Sequence, residues 1–374
     1  MEFRVGRGVF TDAVGWAARA LPSKSPVPVL GGLLLEAGAG RLTVSGFDFE
    51  TAARIETEAD TAAPGEVLVL GRRLLDICRV LPEGPVSCAV EGTRFTVEAG
   101  GTRFGLSTLP REEYPSVPPA PGSYGGVDAA AFAAAVGQVA VAAGRDDTLP
   151  VLTGVQLRLA GDEMTLSASD RYRYAVRRLE WKPATEAGDV VVEALLPARR
   201  LLDAARSLSR CGTVRIGLDP GADSGLVGFE GGRMRAVVRR LEGRLPGYGS
   251  LFELAGASVA WVDRAALAEA VRRVAVVAEA NSPVRLDFSA GEGSVLVRAG
   301  YADDVAAQRL PVELGGAGEV AVAFAPGYLL DALNSFEGER LRLELLGAGQ
   351  RALLSDGAAG EAHRHLLMSV KQLV

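Results

Sequence analysis

Apolar and polar positions along the chain follow two alternating rhythms. In "GRRLLDICRVL" (71–81), Leu74, Leu75, Ile77, Cys78 and Leu81 recur at helical spacing, while Arg73, Asp76 and Arg79 fall on the opposite face. That spacing predicts a short amphipathic helix with a core-facing stripe. The pattern returns in "ARRLLDAARSL" (198–208), with Leu201, Leu202, Ala204, Ala205 and Leu208 in the stripe and Arg200, Asp203 and Arg206 opposite. A third copy, "PGYLLDALNSF" (326–336), keeps the stripe but places Tyr328, Asp331 and Asn334 where arginine, aspartate and arginine stood. Asp76, Asp203 and Asp331 are 127 and 128 positions apart, so the period is domain-sized.

Other segments repeat in the same order. Each third opens on an Ala-rich amphipathic stretch: "GVFTDAVGWAARAL", "DAAAFAAAVGQVAVAA" and "DRAALAEAVRRVAVVA". A period-2 hairpin follows each time; in "LTGVQLRLAGDEMTLSASD", Val155, Leu157 and Leu159 point one way, Gln156 and Arg158 the other, and "AGD" supplies the turn. Pro- and Gly-rich joints at 114–126 and 245–257 separate the units. The reading is three tandem α+β domains, 1–122, 123–250 and 251–374, each of two helices packed on β-sheet with about eight strands. Rigid repetition gives an arc, and an arc that meets a second copy head to tail closes into a ring.

Composition narrows the classes. Apolar residues make up 48% of the 374, enough for large cores. No apolar run reaches transmembrane length, and the first residues lack the apolar core of a secretory signal, so a cytoplasmic protein with no membrane partner is expected. Cys78, Cys88 and Cys211 have no metal spacing and are expected as small buried apolar residues. His363 and His365 in "HRH" fit strand alternation better than a metal site, which would want more ligands. A net charge of −6 opposes tight, strongly basic nucleic-acid binding but leaves room for a local basic surface. The arginine faces of the first two helix copies read either as ordinary solvated faces or as weak, salt-sensitive, sequence-indifferent phosphate contacts. No Walker loop, HExxH or GxSxG occurs, and the clustered carboxylates of "DFETAARIETEAD" and "LPREEYP" read as solvated faces, so neither an enzyme nor a cofactor is expected.

Taken together, "VPVLGGLLLEA" (27–37), "GRRLLDICRVLPEG" (71–84), "RFGLSTLPREEYP" (103–115), "LPVLTGVQL" (149–157), "SASDRYRYAV" (167–176), "LEGRLPGY" (241–248) and "LLMSV" (366–370) resemble the beta subunit of bacterial DNA polymerase III, the sliding clamp, over the whole chain. The resemblance implies a head-to-tail homodimer, a ring of six domains around duplex DNA with helices lining the hole. It implies a non-catalytic processivity factor that tethers the replicative polymerase and is opened by a clamp loader. Carried onto this chain, Lys24, Arg73, Arg79, Arg200 and Arg206 would face DNA. Phe104 and Leu106 would meet Val276 and Val277 of the other copy. Leu152, Ser169, Arg171, Tyr172, Arg173, Tyr174, Pro246, Leu251, Tyr328, Leu366 and Met368 would form the pocket for the short clamp-binding peptides of the polymerase, loader and other partners.

The chain departs from the family pattern around that pocket. Met368 is followed by Ser369, Val370 and Lys371 instead of a Met-Pro-x-Arg run; Gly249 and Ser250 follow "LPGY"; Ala325 replaces a frequent asparagine; and Arg351 stands where a small or cyclic residue is usual. Scattered drift accounts for these changes. So does a remodelled second clamp that resists a clamp-binding peptide antibiotic while still supporting replication. Two readings from other classes also stand at this point: an enzyme with its site at a domain joint, and a monomeric peptide-binding adaptor.

Overall fold

The computed structural model describes residues 1–22, 27–184, 191–218, 225–279, 282–301, 304–357 and 362–371. Among the described residues the amphipathic stretches form six α-helices: α1 (Arg7–Ala17), α2 (Gly71–Val80), α3 (Ala129–Ala140), α4 (Ala198–Leu208), α5 (Arg264–Val274) and α6 (Pro326–Asn334). The predicted stripes are the buried faces. In α2, Leu74, Ile77 and Cys78 are buried, and in α4, Ala198, Leu201, Ala204, Ala205 and Leu208 are. Removing Leu74 to alanine would cost about 3 kcal/mol through lost burial and the cavity left behind.

Each third of the chain supplies nine described strands, one more than the alternation suggests, because short edge strands such as Asp60–Ala63 carry too few residues to show a period. Five strands of each third join one sheet and four another. The first sheet runs Asp60–Ala63, Glu2–Gly6, Pro85–Glu91, Arg94–Ala99, Thr102–Ser107. The second has nine strands and fuses two thirds where Thr51–Glu58 pairs antiparallel with Met234–Arg239, Ala52 opposite Val237. The third, also of nine, fuses the next two thirds where Arg173–Glu180 pairs with His363–Met368, Tyr174 opposite Leu366. The last sheet holds the remaining four: Asp304–Pro311, Ser294–Tyr301, Val284–Ser289, Glu319–Phe324. A five-stranded half-sheet from the N-terminal third and a four-stranded one from the C-terminal third therefore lack the complement that the two inner sheets possess.

Two compact units result: Met1–Ala133 with Trp181–Ala187 and Asp203–Arg240, and Ala134–Glu180 with Gly188–Leu202 and Leu241–Val374. In the first, Phe3, Phe10, Leu33, Leu35, Leu42, Leu74 and Phe95 anchor the core. In the second, Leu267, Leu286, Phe288, Phe324, Leu329 and Leu343 do so. Cys78 and Cys88 are buried in the first core as expected; burial pushes the Cys78 thiol up to about 12 and raises that of Cys88 too, so neither is a reactive thiolate. Cys211 departs from expectation: it is only half-buried, at the turn after α4. No helix among the described residues is long and apolar enough to cross a membrane.

His363 and His365 lie two apart on one strand, so both side chains face inward, and both are buried. His363 Nδ1 lies 3.1 Å from the Val176 carbonyl and its Nε2 lies 2.9 Å from Ser335 Oγ. A carbonyl can only accept, so His363 Nδ1 carries the proton and donates to Val176, while Nε2 lies against Ser335 Oγ, whose hydroxyl also donates to the Ala332 carbonyl at 2.7 Å. Burial lowers the His363 pKa to about 4 and that of His365 well below the ordinary histidine value. The pair is a neutral clasp between the α6 end and the seam where two thirds share a sheet.

Candidate functional site

A cavity of about 580 Å³ opens within the second unit, lined by Ala143, Gly144, Arg145, Asp146, Leu149, Leu152, Asp170, Arg171, Tyr172, Arg173, Gly327, Tyr328 and Asp331. Its floor is set by a tight turn. Asp170 Oδ1 accepts from the Tyr172 and Arg173 backbone N–H groups at 3.1 and 3.2 Å, and drives the residue between into the left-handed region: Arg171 has φ +83°. Ser169, buried beside it, donates from Oγ to the Arg173 carbonyl at 2.8 Å.

Arg173 is the buried charge of the site. Its side chain is 4% exposed and bonds Asp170 Oδ2 at 2.8 Å and Asp331 Oδ2 at 2.7 Å, two carboxylates that together satisfy the desolvated guanidinium. The same guanidinium lies 4.4 Å from the ring centre of Tyr328, and Tyr172 and Tyr328 face each other at 6.1 Å. Tyr328 is thereby held upright at one wall, and burial together with the nearby Asp170 raises its pKa. The third helix copy thus turns its polar face, Tyr328 and Asp331, into the cavity.

Tyr174, Leu251 and Leu366, also predicted for this pocket, sit in the adjoining apolar cluster. Tyr174, Leu366, Leu353, Leu195, Leu245 and Phe252 are its buried members, and Leu152 and Leu251 pack against it. Tyr174 donates from its hydroxyl to the Pro246 carbonyl at 2.9 Å, fixing the joint across the sheet. Met368 is exposed, its backbone N–H donating to the Tyr172 carbonyl at 2.8 Å. Leu152 alone of the predicted set belongs to both the cavity and the cluster. Arg145, Asp146 and Leu149 line the cavity without having been foreseen, since a polar loop carries no periodicity to mark it. Asp331 did have a signal, as the polar-face aspartate of the third helix copy.

The departures have local physical consequences. Arg351 donates from Nη1 to the carbonyls of Ser250 and Leu251 at 3.0 and 2.8 Å, tying the 249–252 turn to the sheet. Ser369 donates to the Gly347 carbonyl at 3.0 Å, while Gln350 N–H donates to its Oγ at 3.0 Å and its own N–H donates to the Gln350 carbonyl at 2.9 Å. A proline there could form none of these. Ala325 precedes α6 with no side-chain cap, and Pro326 takes the first helical position instead.

Of the residues expected to face DNA, Lys24 lies outside the described residues. Arg73, Arg79 and Arg206 are exposed and Arg200 is half-buried. Arg79 is paired at 3.0 Å with Asp76, both about two-thirds exposed, so its charge is partly offset. Among residues expected at the ring contact, Phe104 and Leu106 lie on the edge strand Thr102–Ser107, but Leu106 is 8% exposed and packs into its own core. Val276 is 82% exposed and Val277 half-buried on the 3-10 turn that ends α5. Arg273 Nη1, on the last turn of α5, bonds Gln308 Oε1 at 3.3 Å, which sets that turn against the edge strand Asp304–Pro311.

The chain matches three consecutive family models, the N-terminal, central and C-terminal domains of the DNA polymerase III beta subunit, over residues 1–118, 126–247 and 251–370. The chain belongs to the DNA polymerase III beta-subunit family. It is 47% identical to the beta sliding clamp of Streptomyces coelicolor and 40% identical to the beta sliding clamp homolog GriR of Streptomyces muensis, each over 99% of both chains. The crystal structure of a sliding clamp from Pseudomonas aeruginosa bound to griselimycin superposes with a TM-score of 0.91 at 26% identity, covering 100% of both chains. The fold is accordingly three tandem clamp domains, and the family is that of a non-catalytic processivity subunit. An enzyme with its site at a domain joint is thereby set aside.

Proposed function

We propose that this clamp closes head to tail with a second copy around duplex DNA, and tethers the replicative polymerase and other partners through the cavity at Tyr172 and Tyr328. The division of strands carries the first part. Both inner sheets join a five-strand set to a four-strand set through corresponding strands, Met234–Arg239 to Thr51–Glu58 and His363–Met368 to Arg173–Glu180. By the same repeat, the edge Thr102–Ser107 corresponds to Met234–Arg239, and the edge Asp304–Pro311 to Thr51–Glu58. Edge-to-edge pairing of these two strands between copies would complete a nine-stranded sheet at each joint. Phe104 with Val276 and Val277 would flank it, Leu106 remaining a core residue beneath.

Arg73 and Arg79 on α2 and Arg200 and Arg206 on α4, together with Lys24, would supply weak phosphate contacts, which suit a ring that slides. The domain limits proposed are 1–122, 123–250 and 251–374. For partners, the reading takes an extended peptide with Leu or Phe anchors: aromatic walls and buried charges line the cavity, and an apolar cluster adjoins it at Leu152. A cytoplasmic site of action follows from this role. The direct test is DNA synthesis with the polymerase and clamp loader of the same cell: product length should rise manyfold with this chain and fall back with Tyr328→Ala. Unchanged product length with the intact chain refutes the reading.

A second reading is a remodelled second clamp that resists a clamp-binding peptide antibiotic. The relative GriR and the Arg351 tie to the 249–252 turn favour it; the higher identity to the Streptomyces coelicolor clamp favours the general role. Griselimycin binding as tight as to the housekeeping clamp of the same cell removes it.

A further inference from the structure

The turn that floors the cavity has a twin in the first unit. Asp48 Oδ1 accepts from Glu50 and Thr51 N–H at 3.1 and 2.7 Å, as Asp170 does from Tyr172 and Arg173, and the residue after each aspartate is left-handed, Phe49 at φ +70° and Arg171 at φ +83°. This backbone suits glycine; any residue with a Cβ adopts it at a conformational cost. Phe49 has a visible return, since its ring packs on Phe47 at 5.4 Å. Arg171 has none within the described chain. Its side chain is exposed, lines the cavity, and makes neither an ion pair nor a side-chain hydrogen bond among the described residues.

The charges lining the cavity are equal in number, three arginines and three aspartates, but unevenly bonded. At one end of the cavity Arg173 is satisfied by Asp170 and Asp331. Arg145 and Arg171 line the same cavity with Asp146, which already accepts from the Thr148 hydroxyl at 2.7 Å and its N–H at 3.0 Å. Those bonds hold Asp146 below the usual carboxylate range, with Arg171 adding to the effect, so it stays ionised without neutralising both arginines. Arg171 thus interacts through space with Asp146 but is bonded to no carboxylate among the described residues, leaving a planar fork of donors exposed.

We propose that Arg171 is a specificity residue of the pocket, pairing with a carboxylate on the bound peptide and so selecting acidic segments over neutral ones. This rests on the peptide-pocket reading above. The strain at Arg171 is then offset on the ligand side, and an exposed guanidinium on the cavity wall has a use.

The test uses the full chain and two fluorescein-labelled heptapeptides carrying two Leu and one Phe, identical but for Glu or Gln at one intervening position, with each intervening position tried in turn. Fluorescence anisotropy should show about threefold to fivefold tighter binding of the Glu peptide at its best position, the scale of an exposed ion pair. Arg171→Gly should erase that preference while raising Tm, because glycine fits the backbone; the loss then cannot be misfolding. Arg171→Lys should restore part of it. Equal binding of the two peptides by the intact protein, or a preference that survives Arg171→Gly, overturns the proposal. If Tyr328→Ala leaves both peptides bound as before, the pocket reading itself falls and takes this inference with it. If Tyr328→Ala abolishes both while Arg171→Gly leaves the preference intact, only the role of Arg171 falls.

Discussion

Acid should unfasten the seam that builds the pocket. His363 is held neutral between the Val176 carbonyl and Ser335, with the ring of Phe336 4.3 Å away, on the strand that pairs with Arg173–Glu180. Its pKa is lowered from 6.5 to about 4, chiefly by burial, with Arg177 adding to the effect. The folded state therefore binds this proton less readily than the unfolded chain. The stabilisation is complete above about pH 6.5 and is lost as pH falls toward 4. At 1.36 kcal/mol per unit, the full shift is worth about 3 kcal/mol, of which about 2 kcal/mol disappears between pH 7 and pH 4.5. His365 is displaced in the same direction and adds to the trend. Urea unfolding at a series of pH values measures it, comparing the intact protein with His363→Asn, which keeps polar atoms near Val176 and Ser335 but does not titrate. Carboxylates titrate alike in both, so the difference isolates the histidine. The variant should be less stable at pH 7 and its stability should fall less steeply, the two curves converging near pH 4.5. Parallel curves would refute the neutral-clasp account.

Other outcomes follow from single contacts. Tyr328→Ala removes a cavity wall and the ring beneath Arg173, and should weaken peptide binding tenfold or more with a loss of stability of about 1 kcal/mol; anisotropy and thermal unfolding read the two separately. Phe104→Asp places a charge at the proposed ring contact, on a side chain that also packs at the rim of the N-terminal core, and should give a folded monomer by light scattering and circular dichroism at micromolar concentration; an unchanged dimer would place the contact elsewhere. Arg351→Ala frees the carbonyls of Ser250 and Leu251 and should speed limited proteolysis within 249–252 while leaving the global midpoint within about 1 kcal/mol.

The repeat made the helices legible because their stripes recur at one spacing and bury the same faces, as Leu74 and Leu201 show. The division of strands between sheets was not legible. Alternation says which face of Arg173–Glu180 is buried, but not that its edge partner is His363–Met368, almost two hundred residues on. For the pocket, Tyr172, Arg173 and Tyr328 came from resemblance and converge in space. Tyr174, Leu366 and Pro246 came the same way but serve the adjoining cluster and joint. Arg145 and Asp146 had no local signal, since only the fold brings their loop to Arg171. The left-handed backbone of Arg171 was equally hidden, because an arginine is not a residue from which that conformation is read.

Retention on circular DNA tests the central claim most directly. The chain is loaded onto a singly nicked plasmid by the clamp loader of the same cell, gel-filtered in moderate salt, and the plasmid then cut once. Encirclement predicts that the protein co-elutes with the closed circle and is released on linearisation, with Arg73 and Arg200 changed to alanine reducing loading but not dimerisation. Protein that stays bound after linearisation, or that never co-elutes with the circle, would contradict a topological tether.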